Sequence, residues 1–289
     1  MDKVLVTGAT GLQGSAVARQ LRALNLPVRA MVRNASSDQA RALIETGCTV
    51  VEGDFDQPAS LQAAFEGIQR AFLALPLTPG PVEVRRGLAF LDAAEQAGIE
   101  FLVYSAALDA NHPTGVSHFD SKYELIQRLE RSGLHHVVLG PGGFMENLLF
   151  PQTWDGLARG KLVTPFRPDV VQALVAVDDI GRCAAHCLLE PEAAGPSGTF
   201  VPLWSECLSA AEQAELIATH LGRPVQASRL PWFVTRIFLG KHLTRMFDYF
   251  NRGKAPPVPD NGVFRRIVAS PLSFDQWLKL QPLPAASES

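Results

Sequence analysis

The sequence has little cysteine, little net charge and no long hydrophobic run. Four of its 289 residues are cysteines, and their spacing forms no disulfide framework, so we expect reduced thiols and a cytoplasmic location. The net charge of −3, with no run of Lys or Arg to follow a phosphate backbone, predicts no direct contact with nucleic acid. No apolar stretch reaches the roughly 18 residues of a membrane span, so we expect no membrane insertion.

Internal repeats and low-complexity segments are also missing, which excludes repeat architectures. Met1-Asp2-Lys3 leads directly into an apolar strand, from which we expect no signal peptide. The chain does have 47% hydrophobic and 19% charged residues, a balance typical of a folded globular protein with a large core.

Residues 1–140 alternate short apolar runs with helical patterns. Strands are predicted at Lys3–Thr7, Val28–Arg33, Thr49–Glu52, Arg70–Leu75, Phe101–Ser105 and His136–Leu139. Their apolar residues run continuously rather than in alternation, which is typical of a parallel sheet buried on both faces. We therefore predict an α/β fold with a doubly wound parallel sheet of the Rossmann type, over residues 1–150.

The pattern loosens after Pro141, where glycine and proline interrupt the periodic runs. Residues 177–200 are predicted to pack back on the first domain. Residues 151–176 and 201–282 are predicted to form a small α+β C-terminal lobe that binds a substrate or partner, followed by a flexible tail, 283–289. The aromatic-rich segment Trp232–Phe250 predicts a helix in the core of this lobe, with a pocket lining or a partner surface as alternatives.

A glycine-rich turn joins the first strand to the first helix, the position of a dinucleotide-binding loop. Gly8 permits the tight turn, Gly11 leaves room for a pyrophosphate, and Gly14 lets the helix approach the sheet. The helix N-terminus then offers its N–H groups and positive dipole end to the phosphates. A tight turn without a ligand is the alternative reading. The other residues of this loop that we predict to bind the cofactor are Thr10, Leu12 and Gln13.

The residues after strand two predict NADP(H) rather than NAD. In NAD proteins an acidic residue at this strand end binds the ribose 2′-hydroxyl, but here the strand ends at Arg33 and no carboxylate is present in the next four residues, Asn34, Ala35, Ser36 and Ser37. Arg33 can pair with a 2′-phosphate, while Asn34 and Ser37 offer neutral donors. A solvated surface arginine is the alternative interpretation of Arg33.

Three further residues near strand ends complete this part of the predicted cofactor site. Asp54 follows strand three and can accept a hydrogen bond from the adenine amino group, or, alternatively, cap the following turn. Phe55 is the next residue, and Leu75 ends strand four.

These motifs resemble an atypical short-chain dehydrogenase/reductase. Catalytic members of that superfamily carry a Tyr-x-x-x-Lys pair on the helix after strand five, where this chain has His118 and Lys122 on one helix face. The resemblance implies that Lys122 hydrogen-bonds the nicotinamide ribose and that His118 occupies the place of the proton-transferring tyrosine. It also implies that Ser105 matches a catalytic Ser or Thr, with a loop hydroxyl as the alternative.

Further runs of residues resemble the NmrA-like family, most closely its NADPH-sensor members, over nearly the whole chain. They are Pro141–Asn147, Val177-Asp178-Asp179-Ile180 and Leu272–Leu278. The resemblance implies that Gly142, Gly143 and Phe144 lie against the nicotinamide end. Sensor members carry more basic residues where this chain has Ser36 and Ser37, a departure that weakens the predicted preference for NADP.

Two functions therefore stay open. The first is a redox-sensing regulator that binds NADP(H), contacts a regulatory protein partner and has little or no dehydrogenase activity, because His118 replaces the tyrosine. The second is an NADPH-dependent oxidoreductase of quinones or similar small-molecule electron acceptors, whose reduced oxygens draw protons from water or from His118 or Lys122. A Rossmann protein without cofactor is a third possibility, against which the glycine loop argues. The oligomeric state stays open.

Two other pairs of residues were weighed as candidate sites. Cys183 and Cys187 share one helical face, but the other two ligands of a zinc site are missing, so we predict buried core cysteines and no metal. His135 and His136 precede an apolar strand, and we predict that they form a surface pair.

Overall fold

The computed structural model of the chain describes residues 3–282, apart from the side chains of Phe238 and Leu239, and the tail predicted at 283–289 lies outside these residues. The chain divides into two compact units. The first holds the chain up to Pro141 together with Val177–Leu203 and Asn261–Ala269. The second holds Gly142–Ala176, Trp204–Asp260 and the chain from Ser270 onward.

The strands are, in chain order, β1 (Lys3–Val6), β2 (Val28–Val32), β3 (Thr49–Glu52), β4 (Ile68–Ala74), β5 (Phe101–Ser105), β6 (His135–Pro141), β7 (Gly143–Phe144), β8 (Lys161–Thr164), β9 (Val171–Val175), β10 (Thr199–Leu203), β11 (Glu206–Ser209) and β12 (Gln226–Arg229). The α-helices are α1 (Leu12–Ala23), α2 (Asp38–Glu45), α3 (Pro58–Phe65), α4 (Gly80–Ala97), α5 (Ser117–Glu130), α6 (Pro151–Ala158), α7 (Val177–Leu189), α8 (Ala210–Leu221), α9 (Trp232–Asn251), α10 (Gly262–Ile267) and α11 (Phe274–Lys279). Short 3₁₀ helices lie at Met145–Leu149 and Pro191–Ala194.

The first unit is built on a seven-stranded sheet with the order β10-β6-β5-β4-β1-β2-β3. Every neighbouring pair in it is parallel, which confirms the predicted doubly wound α/β fold. The turning point of the sheet is β1. The chain adds β2 and β3 on one side of β1 and then crosses over to add β4, β5 and β6 on the other side. In such sheets the crevice at the carboxyl ends of the strands, beside the turning point, is where ligands bind.

Helices cover this sheet because its strands are apolar on both faces. Helices α3, α4 and α5 pack with one another over a core that includes Leu5, Leu73 and Phe90. Helix α7 packs on α1 and on strands β4, β5 and β6. Strand β10 and helix α7 follow 36 or more residues after β6, so late segments of the chain complete the first unit.

His136 departs from the sequence interpretation. We predicted a surface pair, but His136 is buried on β6 between β5 and β10, with Nδ1 2.8 Å from the Leu134 carbonyl oxygen. His135 is half-buried, and its ring lies edge-on to Phe101 at 5.1 Å. The prediction was wrong for His136 because β10, which comes much later in the chain, pairs with β6.

The second unit contains two small sheets. Strand β9 pairs with β11 in antiparallel and with β7 in parallel orientation, and β8 pairs with β12 in parallel. Helices α8 and α11 pack on each other over a core that includes Ile217, Phe274 and Trp277. The Trp277 indole N–H donates to Glu146 Oε1 at 3.0 Å, so a buried aromatic residue also has its polar atom paired.

Helix α9 differs from the predicted core helix. Gly240 interrupts it with a φ of 73°, and before this break Trp232, Phe233 and Ile237 are 50%, 61% and 75% exposed. After the break, Phe247 and Phe250 pack against Phe166. The core interpretation was therefore wrong for Trp232, Phe233 and Ile237. None of the helices in the described part of the chain combines the length and hydrophobicity that spanning a bilayer requires.

Candidate functional site

The glycine-rich turn leads from β1 into α1 at the carboxyl edge of the first unit's sheet. Gly8 has a φ of +59°, a conformation that L side chains rarely adopt. A Cβ on Gly14 would lie 2.6 Å from the Thr7 carbonyl oxygen and closer still to the Gly8 carbonyl, so the helix can begin against this turn only with glycine. Gly11 is the N-cap residue of α1 and makes no side-chain capping bond.

The start of α1 thus offers backbone N–H groups and the positive end of a helix dipole at an exposed turn, the features that attract a phosphate. Thr10, Gly11 and Leu12 are exposed there. The turn is held from beneath by Thr7, whose hydroxyl donates to the Ala74 carbonyl oxygen (3.1 Å) and accepts the Ala74 N–H (2.9 Å). Leu75, the next residue after β4, is half-buried at this edge.

Ser105 and Gln13 meet across the same edge. The Ser105 hydroxyl, on the last residue of β5, donates to Gln13 Oε1 on α1 at 2.6 Å. The structure therefore brings together one residue predicted to act in catalysis and one predicted to hold the cofactor. The short bond also fixes the direction of the Ser105 hydroxyl.

The residues after β2 form a compact turn. Asn34 Oδ1 accepts the Ser36 N–H at 2.8 Å, while the Ser37 hydroxyl caps α2 by accepting the Ala40 N–H and donates to the Asn34 carbonyl oxygen. Arg33 is exposed, and among the described residues no carboxylate pairs with it. Arg33 therefore keeps its donors free, whereas the Ser37 hydroxyl is already engaged in the turn.

A carboxylate that the sequence analysis missed also reaches this turn. Glu52, the last residue of β3, accepts the Ala35 N–H at 2.9 Å. Its strand lies in parallel beside β2, with Glu52 opposite Val32. We expected no carboxylate at the end of β2. This is true of the residues that directly follow β2 in the sequence, but Glu52 reaches the same place from the neighbouring strand. The signal that could have found Glu52 is its place at the end of the neighbouring strand.

Asp54 and Phe55 are held by local contacts. Asp54 Oδ1 accepts the Asp56 N–H at 2.9 Å, the turn contact that was the alternative reading of this residue. The Phe55 ring lies 6.0 Å from the ring of Phe90 on α4, so it packs against the core of the first unit. A role of either residue toward adenine stays a prediction.

Lys122 lies in a buried ion pair. Its Nζ donates to Glu83 Oε1 at 2.7 Å and to the His118 carbonyl oxygen at 3.2 Å. The side chains of Lys122 and Glu83 are 9% and 3% exposed. Ser121 donates its hydroxyl to Glu83 Oε2 at 2.7 Å, so both carboxylate oxygens are bonded. Glu83 comes from α4 and was absent from the predicted site.

His118 stands one helical turn before Lys122, as predicted, but it is held in its neutral form. Burial, and secondly the positive charge of Lys122, lower the pKa of His118 to about 3. His118 therefore offers no imidazolium proton at neutral pH.

Tyr104 does not supply the missing hydroxyl. It precedes Ser105 on β5, so its side chain points to the opposite face of the sheet. Its hydroxyl is buried and has no hydrogen-bond partner among the described residues. Burial, with the negative charge of Glu83, raises the pKa of Tyr104 well above its usual value, which keeps the phenol protonated.

Gly142, Gly143 and Phe144 lie in the second unit, whereas the other predicted site residues lie in the first. A Cβ on Gly142 would lie 3.0 Å from the Ala173 carbonyl carbon, so the glycine permits a close backbone approach there. Gly143 and Phe144 form β7 beside Leu174 and Val175. Their predicted place against a nicotinamide ring stays a prediction.

Cys183 and Cys187 are buried on α7. A hydrogen bond with Cys187, together with burial, raises the pKa of the Cys183 thiol well above its usual value, so it stays protonated. Residues 3–282 contain no cluster of three or more His, Cys, Asp or Glu side chains placed to hold a metal ion. These thiols pack as small apolar side chains.

A model of the NmrA-like family matches residues 1–269 of the chain. This chain belongs to the NmrA-like family. The family resemblance inferred from the motifs is thereby confirmed. Among its relatives, the NAD(P)H azoreductase of Xenophilus azovorans is 33% identical over 77% of this chain and 75% of that protein. The oxidoreductase FrzB of Cladobotryum sp. is 32% identical over 50% of this chain, which is 48% of that longer protein.

Solved structures share the NmrA-like fold over nearly the whole chain. The triphenylmethane reductase of Citrobacter sp., complexed with NADP(H), superposes with a TM-score of 0.82 at 20% identity, covering 96% of this chain and 99% of that one. The quinone oxidoreductase QOR2 of Escherichia coli, complexed with NADPH, gives a TM-score of 0.80 at 22% identity, over 96% and 98%. Nmra, a negative transcriptional regulator in complex with NAD, gives 0.78 at 20% identity, over 96% and 95%.

Proposed function

We propose that this NmrA-like protein is an NADPH-dependent reductase of conjugated small-molecule acceptors such as quinones and azo compounds. The observation that carries the proposal is the buried Lys122 beside a neutral His118 on α5, in the same unit as an intact glycine turn. This arrangement keeps the residues that hold a nicotinamide cofactor and lacks a strong acid. The 33% identity to an NAD(P)H azoreductase supports the same class of reaction.

The residues of the first unit fit an NADP(H) molecule. The uncapped N-terminus of α1 would hold the pyrophosphate, which the glycines of the turn leave room to approach. Arg33 would pair with the 2′-phosphate through its free guanidinium group. Lys122 has three ammonium N–H donors, of which two are bonded to Glu83 and His118, so the third remains for a ribose hydroxyl. The bound cofactor supplies a hydride.

The protonation states favour a conjugated acceptor over a ketone. Reducing a ketone requires a proton on the new alkoxide, which a neutral His118 with a pKa of about 3 does not supply as an imidazolium. The oxygens of a reduced quinone are phenolates, which are far less basic than an alkoxide and can take their protons from water. The site therefore suits acceptors for which hydride transfer is the difficult step.

The test is NADPH oxidation by the purified protein against a panel of quinones and azo dyes, with a simple ketone as the contrast. We expect turnover with the conjugated acceptors and none with the ketone. In Lys122→Ala we expect kcat/KM to fall about 10- to 100-fold, the loss typical of a hydrogen bond from a charged donor. Lys254→Ala removes an exposed lysine and serves as the control. Unchanged turnover in Lys122→Ala would exclude a catalytic role of this residue.

A redox-sensing regulator is the second candidate, favoured by the neutral His118 at the position where the resemblance implies a proton-transferring tyrosine. In that case the protein binds NADP(H), and the NADPH/NADP⁺ ratio alters its contact with a regulatory protein partner. The structure neighbour Nmra is itself a transcriptional regulator. Tight NADPH binding without turnover of any acceptor in the panel would favour this function over the reductase.

A further inference from the structure

Glu83 is a buried carboxylate that neither the sequence motifs nor the reaction proposed above requires. It lies on α4 and is 3% exposed, a position at which an unpaired negative charge would be very unfavourable. Both of its oxygens are bonded from α5, Oε1 by Lys122 Nζ and Oε2 by the Ser121 hydroxyl, each at 2.7 Å. The carboxylate is therefore held in one orientation and placed against a cation.

The packing of α4 on α5 sets this distance. Gly80, Glu83 and Gly87 are spaced three and four residues apart, so they share one face of α4. A Cβ on Gly80 would lie 3.2 Å from the Ser117 carbonyl oxygen and closer to the Ser117 hydroxyl, and one on Gly87 would lie 2.6 Å from Leu125 Cδ2. Both glycines thus allow the close approach through which the Glu83 carboxylate reaches α5.

The other groups that face the Glu83–Lys122 pair carry no negative charge, so Glu83 is the counter-ion of Lys122. From α5, His118 contributes a neutral ring and a carbonyl oxygen, and Ser121 contributes a hydroxyl. From β5, Tyr104 contributes a phenol that stays protonated, because burial and, secondly, the charge of Glu83 raise its pKa. Among the described residues, no second carboxylate bonds Lys122.

We propose that Glu83 is a positioning residue of the cofactor site: it fixes Lys122 Nζ and places a negative charge against it, so that one N–H points to a ribose hydroxyl of NADP(H). This inference rests on the proposed function, because it assigns Lys122 to the cofactor. It extends the site to α4, an element to which we had assigned no site residue.

The charge of Glu83 has a consequence for pH dependence. In Glu83→Gln the side chain keeps its shape but loses its charge, so Lys122 becomes a buried cation without a counter-ion. Burial then favours the neutral amine. Because a neutral amine is a weaker donor than an ammonium group, the variant should lose affinity for NADPH as the pH rises, while the wild-type protein should not.

The experiment measures NADPH affinity by fluorescence between about pH 7 and about pH 9.5 in the absence of any acceptor. We expect the NADPH affinity of Glu83→Gln to fall about tenfold or more as the pH rises across this range. The NADPH affinity of the wild-type protein should change less than about threefold. Glu95→Gln is the matched control, since Glu95 is also on α4 and pairs with Arg128 of α5 at 2.7 Å, but nearer the surface. Equal pH profiles for Glu83→Gln and the wild-type protein would overturn the proposal.

A second variant keeps the test decisive if Glu83→Gln does not fold. Glu83→Asp retains the charge on a side chain one methylene shorter, so we expect a wild-type pH profile with weaker NADPH binding at every pH. Wild-type affinity in Glu83→Asp would exclude a positioning role. Since only binding is measured, a protein that binds NADPH and reduces no acceptor would contradict the proposed reductase and still test Glu83.

Discussion

At the scale of single residues, two carboxylates show what motif reading leaves out. Glu52 lies at the turn after β2, and Glu83 lies beneath Lys122, yet neither belongs to a motif. Both reach the site from a neighbouring strand or helix, so their distance in the sequence, 17 and 39 residues from their partners, conceals the contact. Each carboxylate changes the charge that a bound cofactor would meet.

The choice between NADPH and NADH should depend on Arg33 and Glu52 in opposite directions. We expect Arg33→Ala to weaken NADPH binding about 10- to 100-fold, because a guanidinium–phosphate pair is lost, and to leave NADH binding nearly unchanged. We expect Glu52→Gln to favour NADPH by a few-fold, since it removes a negative charge near the 2′-phosphate and keeps an acceptor for the Ala35 N–H.

These affinities can be measured by fluorescence titration with both cofactors. Arg131→Ala, which removes an exposed arginine after α5, is the control. A parallel loss of NADPH and NADH affinity in Arg33→Ala would show that Arg33 does not recognise the 2′-phosphate.

His118 should make the protein less stable in mild acid. Its folded-state pKa of about 3 lies below the usual value of 6.5, so between these values the unfolded chain binds a proton that the folded chain excludes. Stability contributed by neutral His118 is therefore present above about pH 6.5 and is lost as the pH falls toward 3. Between about pH 7 and about pH 5 the loss should be about 1–2 kcal/mol.

Urea unfolding of the wild-type protein and His118→Asn at these two pH values isolates this contribution. The difference in unfolding free energy between the two proteins should shift by that amount, because the asparagine does not titrate. An unshifted difference would mean that His118 is protonated in the folded protein at pH 5.

At the scale of elements, the glycine turn and α1 act as one unit. A Cβ at position 14 would collide with backbone atoms of Thr7 and Gly8, which cannot move without changing the turn itself. We expect Gly14→Ala to weaken NADPH binding at least about tenfold and to lower the unfolding free energy by about 1–3 kcal/mol, the cost of an overpacked site.

The matched control is Gly133→Ala, because a Cβ there meets no atom within 4 Å and the residue has no positive φ. Calorimetric unfolding and NADPH titration of both variants would test the prediction. Wild-type binding by Gly14→Ala would mean that α1 does not need to begin so close to the turn.

Helix α9 shows a limit of periodicity at the same scale. Its apolar residues repeat at a helical spacing, which predicted a buried helix. Periodic spacing shows that a helix has an apolar face, but not whether another part of the protein covers that face. Gly240, with a φ of 73°, breaks the helix, and before the break Trp232, Phe233 and Ile237 are exposed. The second half instead packs on Phe166, which lies 81 residues earlier than Phe247.

At the scale of the whole molecule, late segments complete the first unit. Strand β10 pairs with β6, Gly181 of α7 lies against Ala16 of α1, and Arg70 Nη1 donates to the carbonyl oxygens of Leu188 and Leu189. A fragment of residues 1–150 would keep β6 paired with β5 but leave its other edge, which β10 covers, unpaired, and it would expose the apolar face of α1 that α7 covers.

We therefore expect this fragment to show no cooperative thermal transition by circular dichroism, in contrast to the full chain. A cooperative transition of the fragment would show that the first 150 residues form a stable domain without β10 and α7.

The sequence by itself determined the alternation of strands and helices over residues 1–140, the parallel sheet, the glycine turn and the family. These depend on local spacing, on residues close together in the chain and on turns that only glycine permits. Only the tertiary structure decided the pairing of Glu83 with Lys122, the neutral state of His118, the reach of Glu52 and the burial of His136. Those properties depend on which distant segments pack together, because desolvation and charge act through space rather than along the chain.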